Sequence, residues 1–167
     1  TDTAEQGKSE SRSLIESWHG KGRNRYVITP RFAISCSTEQ LIAAGRLHEQ
    51  YPGTYIQTHL SENKDEIDST LSLCPDCQDY LEVYERARLV TDRSIFGHCI
   101  HLSDSECRRL VEAGSVVAHC PTSNLFLGSG LFDMQQANRV GMQTVLATDI
   151  GAGTSFSMLR TMGEAYK

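Results

Sequence analysis

The sequence alternates short apolar runs with helical patterns five times, and this alternation limits its fold more than any other feature. Runs rich in apolar or β-branched residues predict strands at residues 26–29, 55–59, 94–98, 115–119 and 143–148. Apolar residues at helical spacing predict helices at residues 38–51, 64–73, 79–88, 104–112, 133–140 and 158–166, and residues 20–23 indicate a turn after an opening helix. Strands separated by helices pair in parallel through right-handed crossovers, so the sequence predicts an α/β fold.

The residues alone leave two arrangements of such a sheet open. A doubly wound sheet is complete with five strands, whereas a (β/α)8 barrel has eight strands and typically about 250 residues. No glycine-rich phosphate loop follows the first predicted strand, which removes the commonest reason to prefer the doubly wound form. With 167 residues, the chain is long enough for one hydrophobic core and short for two, so we expect a single domain over residues 1–167.

The charge balance argues against a nucleic-acid partner. The net charge is -5, and no stripe of Lys and Arg supplies the clustered positive charge that a phosphate backbone requires. A small neutral ligand is the better expectation. No run approaches the roughly 18 to 20 apolar residues of a membrane span, and the polar residues 1–12 lack the apolar region of a signal peptide. We therefore expect a soluble, cytoplasmic protein without membrane contact.

The six cysteines are scattered without a framework of close spacings, so reduced thiols are expected. Only Cys74 and Cys77 have the spacing of metal ligands, in Cys74-Pro75-Asp76-Cys77. A structural zinc site normally needs a second pair of ligands, which this sequence does not supply. A non-catalytic module that holds a metal through Cys74, Cys77 and nearby histidines is therefore an alternative function and not the leading one.

Ionisable residues end the predicted strands. His59, His98 and His119 end the second, third and fourth strands, Asp149 directly follows the fifth, and Glu62 lies three residues beyond His59. The carboxyl ends of parallel strands converge on one face, so these side chains are expected to meet. Taken singly, each has a structural interpretation: a hydrogen-bonded histidine, a loop or cap aspartate, a solvated glutamate. Their coincidence at successive strand ends favours a functional site.

The types of residue at these strand ends fit zinc-dependent hydrolysis. A catalytic zinc has a few His or Asp ligands and one open position for water, and His59 and Asp149 are candidates for two of the ligands. Glu62 is placed to transfer protons without occupying the metal, because it lies three residues beyond a ligand. Cys120-Pro121 follows His119 immediately, so a packing role is sufficient for that histidine.

Five motifs, in order along the chain, carry a resemblance to a known family. They are Arg31-Phe32, Thr58-His59-Leu60-Ser61-Glu62-Asn63, Phe96-Gly97-His98, His119-Cys120-Pro121-Thr122-Ser123-Asn124 and Thr148-Asp149-Ile150-Gly151-Ala152-Gly153. Together they resemble the guanine deaminase family of the amidohydrolase superfamily over nearly the whole chain. Pro30-Arg31-Phe32 and residues 123–130 narrow the resemblance from the wider superfamily toward this family.

The resemblance implies a fold, a cofactor and an assembly. It implies a (β/α)8 barrel of the TIM type flanked by a small β-sandwich, with one zinc per subunit and usually a homodimer. The five predicted strands then correspond to barrel strands four to eight. Residues 1–167 are accordingly expected to form the C-terminal part of the barrel, without its first strands and without the β-sandwich.

The resemblance also implies roles for individual residues. His59 and Asp149 match zinc ligands, His98 matches a histidine that polarises the metal-bound water, Glu62 matches the proton shuttle, and Arg31 matches the residue that contacts the purine carbonyl. Glu62, His98 and Asp149 are therefore expected to be catalytic, and Arg31, Glu62 and His98 to bind the substrate. The implied reaction is hydrolytic removal of the 2-amino group of guanine, which gives xanthine and ammonia.

One feature of the family is absent from this sequence. The family takes its other two zinc ligands from a His-x-His on the first barrel strand, and that pattern occurs nowhere among the 167 residues. With two of four ligands, the chain alone is expected to bind zinc weakly and to be inactive.

The leading alternative is another aminohydrolase of the superfamily, acting on adenine derivatives, cytosine-like rings or a triazine. Arg31 discriminates between these substrates, because its planar fork of donors suits a substrate carbonyl. Cytidine-type zinc deaminases use His-x-Glu and Pro-Cys-x-x-Cys, and neither pattern is present.

Overall fold

The computed structural model describes residues 3–167, and its centre is one sheet of five parallel strands in this range. The strands are β1 Val27–Ile28, β2 Tyr55–Leu60, β3 Ser94–His98, β4 Val116–His119 and β5 Gln143–Leu146. They pair in chain order without a reversal, whereas a doubly wound sheet reverses its order at a switch point. The predicted α/β class is confirmed, and the sequential order is that of a barrel segment. Residues 1 and 2 of the expected domain lie outside the described residues.

Eight α-helices connect and flank these strands between residues 3 and 167. They are α1 Ala4–Trp18, α2 Thr38–Gln50, α3 Lys64–Leu73, α4 Tyr80–Arg86, α5 Asp104–Glu112, α6 Pro121–Leu127, α7 Met134–Val140 and α8 Met158–Tyr166, with a short 3-10 helix at Ala33–Ser35. All six helices predicted from helical spacing are present, with bounds that differ by at most a few residues. Helix α1 is the opening helix expected before residues 20–23, and helix α6, directly after β4, was not predicted.

The two faces of the sheet have different roles. Alternate strand residues point to opposite faces. Thr58, Phe96 and Val117 are neighbours in register, all buried toward the helices, where the core lies. The next residues in register include His59 and Gly97, which line a cavity on the opposite face. The same strands therefore anchor the core and present the site.

Cys74 and Cys77 form a disulfide, so the expectation of six reduced cysteines is wrong for this pair. Cys74 ends helix α3, and the Cys77 N–H donates to the Cys74 carbonyl at 2.9 Å. This turn brings the two Cα atoms to 5.4 Å, within the range that a disulfide spans. The other cysteines of the described chain, Cys36, Cys99, Cys107 and Cys120, are free. A metal module based on Cys74 and Cys77 would lack its thiolates in this form.

The helices between residues 3 and 167 differ in length and polarity, and none combines the length and apolar character that crossing a membrane requires.

Candidate metal and active site

The backbone turns sharply at the carboxyl ends of the strands. Of the five non-glycine residues with positive φ in residues 3–167, four lie there: Ser61 at 49°, His98 at 69°, Cys99 at 53° and Asp149 at 47°. Non-glycine residues adopt this left-handed conformation rarely, and such positions cluster at active sites. The unusual conformations thus coincide with the strand ends that the sequence marks as functional.

His59, at the end of β2, has a defined tautomer. Its Nδ1 lies 2.6 Å from the carbonyl oxygen of Arg31. Since a carbonyl only accepts hydrogen bonds, Nδ1 carries the proton, and the Nε2 lone pair of the neutral ring is free. Histidines that bind metals commonly donate their other N–H to a backbone carbonyl in this way. His59 is therefore prepared as a ligand through Nε2.

His98 and Glu62 face each other beside His59. His98 is 2% exposed, and its Nδ1–H donates to Asn124 Oδ1 at 2.9 Å. Its Nε2 lies 3.6 Å from Glu62 Oε2, while Glu62 Oε1 accepts from Ser129 Oγ at 3.2 Å. The rings of His59 and His98 stack with their centroids 5.2 Å apart. His98 and Glu62 are each held through one polar atom by a hydrogen bond, and the other polar atom of each faces the site.

The polar atoms of His59, Glu62 and His98 converge to within 4.8 Å of one another, a group that could hold a metal ion. The two histidines also line a cavity of about 180 Å³, and Asp149 lines the same cavity. The structure thus brings the candidate catalytic and metal-binding residues together, with His59, Glu62 and His98 in the tight group and Asp149 on the same cavity as the two histidines. Imidazole and carboxylate are ligands that suit zinc, so the donor chemistry fits this ion.

Arg31 lies at the rim of this arrangement. Its side chain is exposed, with Cζ 5.1 Å from the centroid of the Phe32 ring. The Phe32 ring is in turn 5.4 Å from the ring of His59. The predicted substrate-binding arginine therefore neighbours the site through Phe32, and its main-chain carbonyl contacts His59 directly.

His119, the last residue of β4, and Cys120, which follows it, are both buried and uncharged. His119 is 8% exposed and stacks on Phe132 with the ring centroids 4.8 Å apart, as the expected packing role requires. Burial, and secondarily the nearby His98, lowers the pKa of His119, so the ring is neutral. Burial raises the pKa of Cys120 to about 12, with Asp149 adding to the effect. Cys120 is therefore a thiol and not a thiolate at neutral pH.

Three residues that support the site were not singled out individually from the sequence. Asn124 on α6 holds His98, and Ser129 in the following loop holds Glu62. His101 Nε2–H donates to the carbonyl of Ser129 at 2.9 Å and fixes that loop. The available signal was Pro121 and Gly128, which have the pattern of a first helical residue and a left-handed C-terminal residue.

Similar proteins place this geometry in a family. Guanine deaminase of Escherichia coli (strain K12) is 52% identical over 166 residues, which are 99% of this chain and 38% of that protein. The solved structure of E. coli guanine deaminase superposes with a TM-score of 0.97, covering 99% of this chain and 38% of that chain. Guanine deaminase from C. acetobutylicum, solved with bound guanine in its active site, is 33% identical with a TM-score of 0.93, over 99% and 40% of the two chains.

The chain covers only part of the length of these relatives. It spans 38% of the length of the E. coli protein. The fold is accordingly part of an amidohydrolase TIM barrel, as the resemblance implied. The model of the amidohydrolase family matches residues 2–167. The chain belongs to the amidohydrolase family.

Proposed function

We propose that the protein containing this chain hydrolyses guanine to xanthine and ammonia with one zinc ion per subunit. The observation that carries the proposal is the convergence of His59, Glu62 and His98 at the strand ends. The E. coli relative with 52% identity is named guanine deaminase, which supports guanine as the substrate. Because the chain spans 38% of that relative, the proposal concerns the whole protein.

In this proposal, His59 and Asp149 are zinc ligands. The free Nε2 of His59 and the position of Asp149 on the same cavity support the assignment. Two further histidine ligands would come from outside these residues, since the sequence contains no His-x-His. Bound zinc would lower the pKa of a coordinated water to about 7 and so supply a nucleophile at neutral pH.

Glu62 and His98 move and orient protons in the proposed reaction. Glu62 Oε2 is directed at His98, while Ser129 occupies the other carboxylate oxygen. Glu62 can therefore carry the two protons of the attacking water through one oxygen, the first to the ring nitrogen next to C2 and the second to the amino group, which leaves as ammonia. His98 is held by Asn124 through Nδ1, so that Nε2 orients water or substrate at the same point.

Arg31 is the proposed contact for the purine carbonyl. A guanidinium donates two parallel hydrogen bonds, which match an oxygen and a ring nitrogen on one edge of a base. Its place beside Phe32, one ring away from His59, supports this role.

Assays on the purified full-length protein test the function. We expect release of ammonia from guanine, and little or none from adenine, cytosine or melamine-type rings. Faster turnover of one of these other rings would replace guanine deamination with the alternative aminohydrolase activity.

We also propose a single barrel domain that includes residues 1–167, a homodimeric assembly and a cytoplasmic location. The sequential sheet, whose end strands β1 and β5 each pair on one side only in the described chain, supports the barrel domain. Four of the six cysteines are free, which is consistent with a reducing compartment, and the disulfide between Cys74 and Cys77 is the exception. Light scattering on the full-length protein tests the dimer.

A further inference from the structure

A buried tyrosine of helix α4 joins two segments of the site. Tyr84 is 0% exposed, and its hydroxyl donates to the main-chain carbonyl of His59 at 2.8 Å. The same oxygen accepts the N–H of Ala33 at 3.0 Å and lies 3.1 Å from Thr58 Oγ1. One hydroxyl group thus connects the end of β2 with the segment that follows β1.

The segment after β1 includes Arg31, and its carbonyl is also held by β2. The carbonyl oxygen of Arg31 accepts from Thr58 Oγ1 at 3.2 Å, from the His59 N–H at 3.2 Å and from His59 Nδ1 at 2.6 Å. Residues 31–33 are therefore held at Arg31 by β2 and at Ala33 by Tyr84. The direction of the Arg31 side chain depends on both attachments.

The ring of Tyr84 is itself fixed in place. It stacks on Tyr80, one helical turn earlier, with centroids 5.5 Å apart, and packs 5.8 Å from Phe96. Tyr80 donates to Glu66 Oε1 at 2.7 Å, and Glu66 Oε2 accepts the N–H of Glu62 at 3.0 Å. Burial raises the pKa of Tyr84, so its hydroxyl keeps the proton that it donates.

We propose that Tyr84 is a positioning residue for substrate recognition, which sets the position of Arg31 relative to His59 through its bonds to Ala33 and His59. Its hydroxyl contacts two main-chain groups and the hydroxyls of Thr58 and Tyr80, and so acts on the substrate only through other residues. The proposal depends on the proposed function for the identity of the substrate. The contacts of Tyr84 on which it is based are independent of that function.

The first test compares two substrates of the full-length zinc-loaded protein. Tyr84→Phe keeps the ring and removes the hydroxyl. Losing hydrogen bonds of ordinary strength is expected to raise KM for guanine about tenfold with kcat nearly unchanged. 2-Aminopurine lacks the carbonyl that Arg31 would bind, so its KM, or its inhibition constant if it is not turned over, should stay unchanged.

The matched control is Tyr51→Phe. Tyr51, at the C-terminal end of α2, donates its hydroxyl to Glu16 at 2.6 Å, so this variant makes the same substitution and removes a tyrosine hydrogen bond at the surface, away from the site. Its kinetics are expected to equal those of the unchanged protein. An equal loss for guanine and 2-aminopurine in Tyr84→Phe, or no loss for either, overturns the proposal.

The second test is independent of guanine. Hydrogen exchange of the peptide that contains Ala33 should be faster in Tyr84→Phe than in Tyr51→Phe, because the Ala33 N–H loses its closest acceptor. Unchanged exchange, or acceleration spread evenly over the chain, overturns the proposal. If the full-length protein does not deaminate guanine, the proposed function fails and exchange alone decides the role of Tyr84.

A second variant covers the case in which Tyr84→Phe does not fold. Thr58→Val removes the hydroxyl that donates to Arg31 with little change of volume. The same substrate selectivity is expected, because Arg31 loses one of its attachments to β2, and an equal loss for guanine and 2-aminopurine, or no loss for either, counts against the proposal as before.

Discussion

Glu62 has two different surroundings at its two carboxylate oxygens, and this asymmetry gives it one reactive direction. Ser129 occupies Oε1, while Oε2 faces His98. An amide side chain keeps the shape and the contact with Ser129 but cannot transfer a proton. The proposed role of Glu62 is therefore separable from its structural contacts.

Replacing Glu62 with Gln in the full-length protein is expected to lower kcat about 10²- to 10⁴-fold, the usual contribution of a general acid or base. Zinc content and KM should change little. Glu112→Gln, at an exposed position of α5, is the matched control and should leave kcat unchanged. A loss of less than tenfold with zinc retained would remove Glu62 from the mechanism.

Zinc binding distinguishes the catalytic site from the cysteine module. His59→Ala in the full-length protein is expected to weaken zinc binding more than about 100-fold, because it removes a direct ligand, and loss of a supporting contact alone costs 10- to 100-fold. The double variant Cys74→Ser with Cys77→Ser should bind zinc normally, since these sulfurs form a disulfide. Competition with a chelator measures the zinc affinity of both variants. Loss of zinc in the double cysteine variant with normal binding in His59→Ala would favour the cysteine module.

The residues at the strand ends could be predicted, because both their chemical types and their positions after strands indicate a site. The residues that hydrogen-bond to them could not be predicted. His98 and Asn124 are 26 residues apart, and Glu62 and Ser129 are 67 apart, so nothing local in the sequence pairs them. Arg31 was identified through family resemblance, whereas its carbonyl bond to His59 is known only from the structure.

Helix α2 packs so closely against the end of α4 that one of its residues must be glycine. A Cβ atom at Gly45 would lie 1.9 Å from the main-chain oxygen of Ala87, and backbone cannot move aside easily. Gly7 on α1 has no atom within 4 Å of the corresponding position. The two glycines therefore form a matched pair.

Gly45→Ala is expected to lower the free energy of unfolding by about 1–3 kcal/mol through overpacking. Gly7→Ala should raise it by about 0.5–1 kcal/mol, because alanine favours a helix that has room for its methyl group. Urea titration of the full-length protein measures both changes. Equal effects of the two substitutions would contradict the close packing of α2.

The regular elements followed from periodicity, and the one missed helix lacks it. The predicted bounds of α3, α5 and α8 agree with the structure. Helix α6 has seven residues, and its apolar Leu125, Phe126 and Leu127 are consecutive and all exposed, so no amphipathic pattern marks it. It begins at Pro121 and is followed by Gly128. Both residues mark the ends of a helix and do not reveal which of its faces is buried.

At the scale of the whole molecule, strand order was the property that the residues left open. Composition and periodicity determine strands and helices but not which strand lies beside which. The order from β1 to β5 without reversal answers this, and the close superposition on E. coli guanine deaminase agrees with it.

The isolated 167-residue chain is expected to bind zinc weakly and to release no ammonia from guanine. It contains two of the four implied ligands, and its end strands β1 and β5 each have a free edge that invites association. Metal titration, ammonia assay and sedimentation of the isolated chain measure these properties beside the full-length protein. Tight stoichiometric zinc together with guanine turnover by the chain alone would contradict the expectation.

The sequential pairing of the strands has a consequence for synthesis on the ribosome. Strands β2 to β5 can join the sheet in the order in which they leave the ribosome, so His59, Glu62 and His98 are assembled while the residues around Asp149 are still being made. At about 5–20 residues per second, the delay between His59 and Asp149 is on the order of ten seconds. During that interval the nascent protein lacks Asp149, the proposed zinc ligand that follows β5.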